Sequence, residues 1–225
     1  GSLAIHHWLE EEVACFKNKQ CALLFNSGYE ANVGVLSSLY GKGDAIFSDR
    51  LNHASIVDGM LLSGARIFRF LHNDPDSLET LLGRERRKFK RALIVTETIF
   101  SMDGDRPPLR AFTDLKDRYD CRIMVDEAHA TGIYGHNGSG VAEEEGLSDR
   151  IDLIMGTFSK ALGSFGAYIA ASDEIVDYLI NTCRSFIYST SLPPAVTAAN
   201  IAALGLVRRE PQRREALLGL AEQLA

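Results

Sequence analysis

Short apolar runs alternate with amphipathic stretches along most of the chain. Helical patterns of polar and apolar residues separate these runs, for example at 29–40, 54–63 and 109–119. This alternation predicts βαβ crossovers and a mainly parallel sheet. Most runs are apolar throughout, as is typical of strands covered on both faces. We therefore expect a three-layer α/β/α fold with strands at 21–25, 45–48, 66–70, 92–98, 122–128, 152–156 and 167–172.

The two ends of the chain have helical patterns that are not followed by a strand. Residues 3–17 place apolar side chains on one helical stripe, so this helix is expected to pack against the rest of the protein. After Pro193 the sequence is typical of one long helix, with a break near Pro211. The apolar stripe of the first helix consists of Ile5, Trp8, Leu9, Val13 and Phe16.

Composition excludes several classes of protein. Apolar residues make up 46% of the 225 residues, which is enough for a sizeable core. The net charge of −6 argues against a broad nucleic-acid-binding face but is compatible with a local basic pocket for an anionic substrate. No apolar run is long enough to predict a membrane span. The four cysteines are scattered without a CxxC pair, which predicts reduced, mostly buried thiols and a cytoplasmic protein.

Polar residues follow the first two predicted strands. After 21–25 the chain continues as NSGYEAN, where Ser27 and Gly28 come just before a helix. Free amides and the helix dipole at such a start bind phosphate, although an ordinary strand-to-helix turn has the same pattern. After 45–48, His53 opens the next helix, either as a functional side chain or as a structural one.

The central strands end in further candidates. Ser101 lies beside the Asp-Gly turn that follows 92–98. Asp126 ends an apolar run, and a buried carboxylate at that position must be paired with a cation or hydrogen-bonded. Asp126 and His129 are also candidate metal ligands, but no third ligand stands at a usable spacing, so a metal site is not predicted.

Lys160 stands in GTFSKALGSFG, where an apolar run gives way to small and hydroxyl residues. It can be a phosphate-binding lysine, a covalent catalytic lysine or an ordinary surface lysine. A P-loop needs glycines before its lysine, whereas Gly163 follows Lys160 here, and the Gly41-Lys42 pair lacks the required Ser or Thr. No GxGxxG follows the first strand, which disfavours a nicotinamide dehydrogenase.

A covalent lysine fits the other strand ends better. A pyridoxal phosphate site needs a lysine that can lose its charge, an acid for the pyridinium nitrogen and a phosphate cup. Asp126 precedes Lys160 at a neighbouring strand end, Thr157 supplies a hydroxyl, and the Ser-Gly helix start supplies amides. Together these features favour the covalent interpretation.

Five motifs carry a resemblance to a known family, the α-oxoamine synthases. They are NSGYEAN, FSMDGD, VDEAHATG, MGTFSKALGSFG and YSTSLPPA, and they occur in the order found in that family. The resemblance covers nearly all of the chain. It implies the large domain of a fold-type I pyridoxal phosphate transferase, in which an amino acid condenses with an acyl thioester and CO2 is lost.

The resemblance implies a catalytic role at four matching positions. Lys160 would hold the cofactor covalently and later act as a base, and Asp126 would keep the pyridine nitrogen protonated. His129 would hydrogen-bond the ring oxygen of the cofactor. His53 would stack on the ring and contact the substrate.

Other matching positions would surround the cofactor. The backbone of Gly28 and Tyr29, helped by Thr157, would hold the phosphate. Ser101 would lie close to the cofactor. The family resemblance also implies a homodimer with shared active sites, in which Thr190 and Ser191 would reach the phosphate bound to the partner subunit.

Substrate and domain expectations also come from the resemblance. IYSTSLPPA and MGTFSKALGS are most similar to members that condense L-alanine with a pimeloyl thioester, carried by CoA or by a carrier protein, in biotin synthesis. Members that use glycine and acetyl-CoA have similar motifs. We expect 1–192 to form the cofactor-binding domain and 193–225 to begin the helix leading to a small domain outside this sequence.

A binding protein that kept the fold without catalysis is the remaining alternative, because fold alone does not imply activity. It would predict loss of Lys160, Asp126 or His129, and all three are present.

Overall fold

Seven strands form one sheet in the computed structural model, which describes residues 2–224. The strand order is β1-β7-β6-β5-β4-β2-β3. The strands are β1 (Cys21–Phe25), β2 (Ala45–Asp49), β3 (Arg66–Phe70), β4 (Ala92–Glu97), β5 (Arg122–Asp126), β6 (Leu153–Thr157) and β7 (Ala167–Ala171).

Helices connect the strands and close both ends of the described chain. They are α1 (Ala4–Lys17), α2 (Gly28–Leu39), α3 (Ala54–Ser63), α4 (Pro75–Glu85), α5 (Leu109–Arg118), α6 (Val141–Glu144), α7 (Asp173–Thr182), α8 (Arg184–Ile187), α9 (Pro194–Arg209) and α10 (Gln212–Leu224). Short 3₁₀ turns follow α4 at Arg86–Lys88 and precede β6 at Ser148–Arg150. Asp74 caps α4 through Ser77 N, with Pro75 in the first turn.

The register of the sheet brings six strand ends to one edge. Strand β7 is antiparallel to β1 and β6, while the remaining pairs are parallel. Glu97 at the end of β4 lies opposite Asp126 on β5, and Asp126 lies opposite Met155 on β6. Ligands of open α/β sheets bind at this carboxyl edge.

Helices cover both faces of the sheet, which confirms the predicted three-layer α/β/α fold. Helices α2, α3 and α7 pack on the face that contains Leu23, Val95 and Met124. Helices α4 and α5 pack on the opposite face, where Phe47 and Ile123 are buried, and α1 and α9 continue that layer over β1 and β7. The strands are buried on both sides, which explains their continuous apolar sequences.

The first helix differs from the stripe that its sequence predicts. The helix packs against the protein as expected, with Leu9 and Val13 fully buried. Trp8 is 53% exposed, so its expected place in the buried stripe is wrong. His6 is buried instead, because Nδ1 accepts from Leu3 N at 2.9 Å and Nε2 lies 2.7 Å from Leu192 O. A polar ring with both nitrogens engaged can replace an apolar side chain in the core.

The other expectations about the chain have mixed outcomes. The terminal helix is divided at Pro211 into α9 and α10. The cysteines of the described chain are free, but only Cys121 and Cys183 are buried, so the expectation of mostly buried thiols is half right. No helix within residues 2–224 is long and apolar enough to cross a membrane. The outer limits of the two expected domains, at positions 1 and 225, lie outside the described residues.

Candidate active site

Lys160 lies just after β6, in the loop that leads to β7. Its Nζ atom is 2.7 Å from Nε2 of His129, which follows β5. Burial lowers the pKa of Lys160, partly opposed by the carboxylates of Asp126 and Glu97. Burial and the charge on Lys160 also lower the pKa of His129, which favours a neutral ring whose free nitrogen can accept a hydrogen bond from the amine. The fold thus brings together the lysine and histidine that the sequence singled out.

Asp126 ends β5 and is 5% exposed. Its Oδ2 accepts from Asn32 Nδ2 at 3.0 Å, and its Oδ1 accepts from Ala128 N at 2.9 Å. The expectation that this buried carboxylate must be satisfied is met by neutral donors, while the positive charge of Lys160 lies nearby. Helix α2 therefore orients Asp126 on the face of the sheet where Asn32 lies.

Glu97 holds the start of α3 at the site. Its Oε1 accepts from His53 N at 2.6 Å, and the His53 ring caps α3 by accepting from Ser55 N at 3.2 Å. Burial and the neighbouring Asp126 charge raise the pKa of Glu97 to about 7. His53 therefore stands beside the cluster, with its backbone fixed by an acid that titrates near neutral pH.

The start of α2 forms a small polar cradle beside β6. Ser27 caps the helix by accepting from Glu30 N at 3.1 Å, and the first amides of α2 have no partner within the helix. A Cβ added at Gly28 would lie 2.9 Å from Thr157 Cγ2, so any larger residue would force the Thr157 side chain to move. Thr157 Oγ1 is buried without a hydrogen-bond partner in residues 2–224, and an oxygen-rich anion would satisfy it.

The remaining predicted site residues lie at the periphery. Ser101 is in an exposed turn after β4, and no hydrogen bond in the described part of the chain links it to Lys160. Tyr29 is 50% exposed, and its hydroxyl donates to Asp58. Thr190 is exposed and its carbonyl accepts from Asn26 Nδ2 at 2.8 Å, next to Ser191.

Three residues of the cluster escaped the sequence interpretation: Asn32, Ser55 and Glu97. Asn32 Nδ2 donates to both Asp126 and Ser55, and so joins α2, α3 and β5. Glu97 could have been found by the reasoning that found Asp126, because it also ends a buried apolar run. Within residues 2–224, no group of three or more His, Cys, Asp or Glu side chains is arranged to hold a metal ion.

Known proteins have the same fold and sequence features. The chain is 56% identical over 207 residues to 8-amino-7-oxononanoate synthase of Geotalea daltonii. The aligned residues cover 92% of this chain and 53% of that protein. The chain therefore spans about half the length of the curated relatives it matches.

Solved structures agree with this relationship. A serine palmitoyltransferase from S. paucimobilis, with a bound PLP–myriocin aldimine, superposes with a TM-score of 0.93 and 35% identity over 97% of this chain and 55% of that one. The 8-amino-7-oxononanoate synthase of Francisella tularensis superposes with a TM-score of 0.82 and 31% identity, over 96% of this chain and 62% of that one. The model of the family "Aminotransferase class I and II" matches residues 1–225. The chain belongs to this family, and its resemblance to the α-oxoamine synthases is confirmed.

Proposed function

We propose that this chain binds pyridoxal 5'-phosphate between α2 and the loop after β6. The observation that carries the proposal is the contact of 2.7 Å between Lys160 Nζ and His129 Nε2, beside the carboxylate of Asp126. The residues present fit the cofactor. The cradle at Gly28 and the unpartnered Thr157 hydroxyl suit its phosphate, and Asp126 suits its pyridine nitrogen.

Each side chain of the site would make a different contact with the cofactor. Lys160 supplies the amino group that attaches it covalently, and its lowered pKa favours the nucleophilic free amine. Asp126, oriented by Asn32, would pair with the ring nitrogen and keep it protonated. We propose that His129 hydrogen-bonds the ring oxygen, that His53 stacks on the ring and that Ser101 lies close to the cofactor. The backbone of Gly28 and Tyr29 would hold the phosphate.

Pyridoxal phosphate supplies an electron sink that stabilises negative charge at the Cα atom of a bound amino acid. When an amino acid is bound there, the Lys160 amine would be the base that takes the Cα proton, and it would later return a proton to the product. The lowered pKa of Lys160 brings its acid–base chemistry closer to neutral pH. His129 and His53 are placed to polarise the new ketone.

We further propose that the complete protein condenses L-alanine with a pimeloyl thioester, giving 8-amino-7-oxononanoate, CO2 and the free thiol, in biotin synthesis. The name and the 56% identity of the Geotalea daltonii relative support this choice. The acyl carrier is CoA or a carrier protein. Glycine with acetyl-CoA is the competing substrate pair, because family members that use it have similar motifs.

The assembly and location are part of the same proposal. We propose a homodimer in which Thr190 and Ser191 reach the phosphate bound by the partner subunit, and a cytoplasmic protein, as the cysteine pattern predicts. The division into a cofactor-binding domain, 1–192, and the start of a helix leading to a second domain, 193–225, stays a prediction.

The covalent role of Lys160 is tested by borohydride reduction of the cofactor-loaded protein followed by peptide mass spectrometry. We expect the adduct on Lys160 and loss of the visible absorption in Lys160→Ala, with condensation slowed about 10³-fold or more. Lys42→Ala, at an exposed lysine in the turn before β2, is the matched control and should keep both. An adduct on another lysine, or none, would contradict the proposal.

The substrate pair is tested by measuring CO2 release from L-alanine with pimeloyl-CoA and from glycine with acetyl-CoA. We expect the higher kcat/KM with L-alanine and pimeloyl-CoA. A higher value with glycine and acetyl-CoA would instead assign the competing reaction, with the cofactor site unchanged.

A further inference from the structure

Three loops at the carboxyl edge of the sheet meet at His72, a residue with no role in the proposed chemistry. Nδ1 of His72 lies 2.9 Å from Asp49 Oδ1, and Nε2 lies 2.7 Å from Asp105 Oδ2. The His72 side chain is 15% exposed and that of Asp49 is fully buried. Both ring nitrogens face carboxylate oxygens, and both contacts are hydrogen bonds when the ring is an imidazolium with a hydrogen on each nitrogen. We call His72, Asp49 and Asp105 the His72 clamp.

The clamp has further hydrogen bonds that fix its geometry. Asp49 Oδ1 also accepts from Leu51 N, and Asp49 Oδ2 accepts from Asn73 N, each at 2.9 Å. Asn73 Nδ2 donates to Asp105 Oδ2 at 2.7 Å. The loops after β2 and β3 are therefore joined at Asp49. Asp105 joins the turn after β4 to the loop after β3, and His72 connects Asp105 with Asp49.

These loops carry two of the proposed site residues. His53 follows Asp49 closely in the loop that opens α3, and Ser101 lies in the turn that Asp105 closes. Within that turn, Phe100 N donates to Asp105 O at 3.1 Å, and the Phe100 ring stands edge-on to His72 with centroids 4.4 Å apart. The turn lacks helix or strand, so few other interactions fix the position of Ser101.

We propose that His72 is a positioning residue of the active site, which couples the turn carrying Ser101 to the loop carrying His53. The inference rests on the proposed function, because it assumes that both residues contact the cofactor or substrate. The positive charge on the His72 ring attracts both carboxylates, Asp49 and Asp105, which would otherwise repel each other. Loss of the proton would leave one nitrogen without a hydrogen to donate and would release one of the two aspartates.

Burial disfavours the charged ring, but the carboxylates of Asp49 and Asp105 outweigh it and raise the pKa of His72. A raised pKa in the folded state means that the stabilisation is complete below about 6.5 and is lost as the pH rises through the raised value. The groups that face His72 are Asp49, Asp105, Asn73 and Phe100. The coupling should therefore weaken on the alkaline side.

The first test is His72→Phe in the complete, cofactor-loaded protein, since Phe keeps a ring against Phe100 but donates no hydrogen bond. We expect kcat with L-alanine and pimeloyl-CoA to fall about 10- to 100-fold. Hydrogen exchange in residues 99–105 should speed up, while borohydride still gives the adduct on Lys160. His7→Phe, at an exposed histidine on α1 that pairs with Glu10, is the control and should change neither quantity.

Unchanged kcat and exchange in His72→Phe, with the adduct formed, would overturn the inference. Absence of the adduct in the unaltered protein would instead overturn the proposed function, and the exchange measurement would still test the clamp. If His72→Phe fails to fold, Asp105→Asn tests the positioning role instead, because the asparagine side chain keeps an oxygen acceptor but carries no charge. We expect the alkaline decline of kcat to move to lower pH in Asp105→Asn, whereas an unmoved profile would overturn the positioning role.

Discussion

Two lysines lie beside two consecutive acids at the end of β5: Lys17 pairs with Glu127, and Lys160 lies near Asp126. Lys17, the last residue of α1, is fully buried, and its Nζ lies 2.7 Å from Glu127 Oε2. Lys160 is exposed and contacts His129, with Asp126 nearby. Burial, complete at Lys17 and partial at Lys160, disfavours the charge on both lysines. The carboxylate of Glu127 outweighs that effect and raises the pKa of Lys17, whereas the pKa of Lys160 is lowered.

The difference comes from what surrounds each amine. Lys17 Nζ donates to Glu127 Oε2, to Thr131 Oγ1 at 3.0 Å and to Ser139 O, so its three hydrogens all have acceptors. Lys160 has one partner, a nitrogen, in the described part of the chain. A satisfied buried lysine holds structure together, while an under-satisfied lysine at a strand end is available for chemistry.

The largest effect is expected from Lys17→Met, which would leave the carboxylate of Glu127 buried without its partner. We expect the free energy of unfolding to fall by about 3–5 kcal/mol. Lys160→Met should change it by less than about 1 kcal/mol, because the side chain is exposed. Urea unfolding of both variants without cofactor makes the comparison, since bound ligand adds its own stabilisation. Equal losses in the two variants would remove the distinction between the lysines.

A double variant separates the unpaired charge from lost packing. In Lys17→Met/Glu127→Gln the amide oxygen can still accept from Ala142 N, which Glu127 Oε1 does at 2.9 Å, but no charge remains. We expect it to recover more than half of the loss seen in Lys17→Met. No recovery would mean that packing around the Lys17 stem, and not the ion pair, supplies the stability.

The next largest effect is on how the free energy of unfolding depends on pH. It contrasts Glu97, at the candidate site, with Asp44, which is in a structural ion pair. The pKa of Glu97 is raised from 4.5 to about 7, so its contribution to stability is present below 4.5 and is lost as the pH rises through 7. Relative to Glu97→Gln, we expect the unaltered protein to lose about 3 kcal/mol of unfolding free energy across this range. Urea unfolding from pH 4.5 to 8 measures it.

Asp44 supplies the control of opposite sign. Burial works against its charge, but hydrogen bonds from Arg91 lower its pKa, so its contribution is present above 3.8 and is lost as the pH falls. Asp44→Asn should therefore lose stability at neutral pH. If Glu97→Gln shows the same sign as Asp44→Asn, Glu97 is a structural acid like Asp44, and not an acid destabilised by its site.

Local patterns predicted the layers of the fold and the strand ends well. Apolar runs located β1 to β7 to within about two residues, because strands buried on both faces leave a continuous signal in the sequence. Asp126 and Lys160 were found because both follow such runs. The prediction of Thr157 as a phosphate neighbour is consistent with its unpartnered hydroxyl but is not tested by the comparisons.

Features set by distant partners were missed. Trp8 was expected to be buried, because the helical stripe counts only apolarity, whereas His6 is buried through a bond to Leu192, far along the chain. Lys17 has the sequence of an ordinary polar helix end, since its partner Glu127 lies on another element. Asn32 was inside a quoted motif, but its contact with Asp126 depends on how α2 crosses the sheet. Such contacts need the tertiary fold.

The smallest effect separates two buried threonines, Thr131 beside Lys17 and Thr157 at the end of β6. Thr131 Oγ1 accepts from Lys17 and donates to Glu127 O at 2.9 Å, so Thr131→Val should cost about 1–3 kcal/mol of unfolding free energy and leave cofactor affinity unchanged. Thr157→Val should not lower stability, because the lost hydroxyl is buried without a partner.

We expect Thr157→Val to raise the Kd for pyridoxal phosphate by about 10- to 100-fold, since a hydrogen bond to a charged phosphate is lost. Titration of cofactor-free protein with pyridoxal phosphate, followed by absorbance, measures the change in Kd. Urea unfolding of the same variant measures the change in stability. A stability loss in Thr157→Val matching that of Thr131→Val, with cofactor affinity unchanged, would mean that the Thr157 hydroxyl supports the fold. The phosphate cradle at Gly28 and Tyr29 would then lose Thr157 as its buried side-chain donor. The difference between the two regions would rest on the two lysines alone.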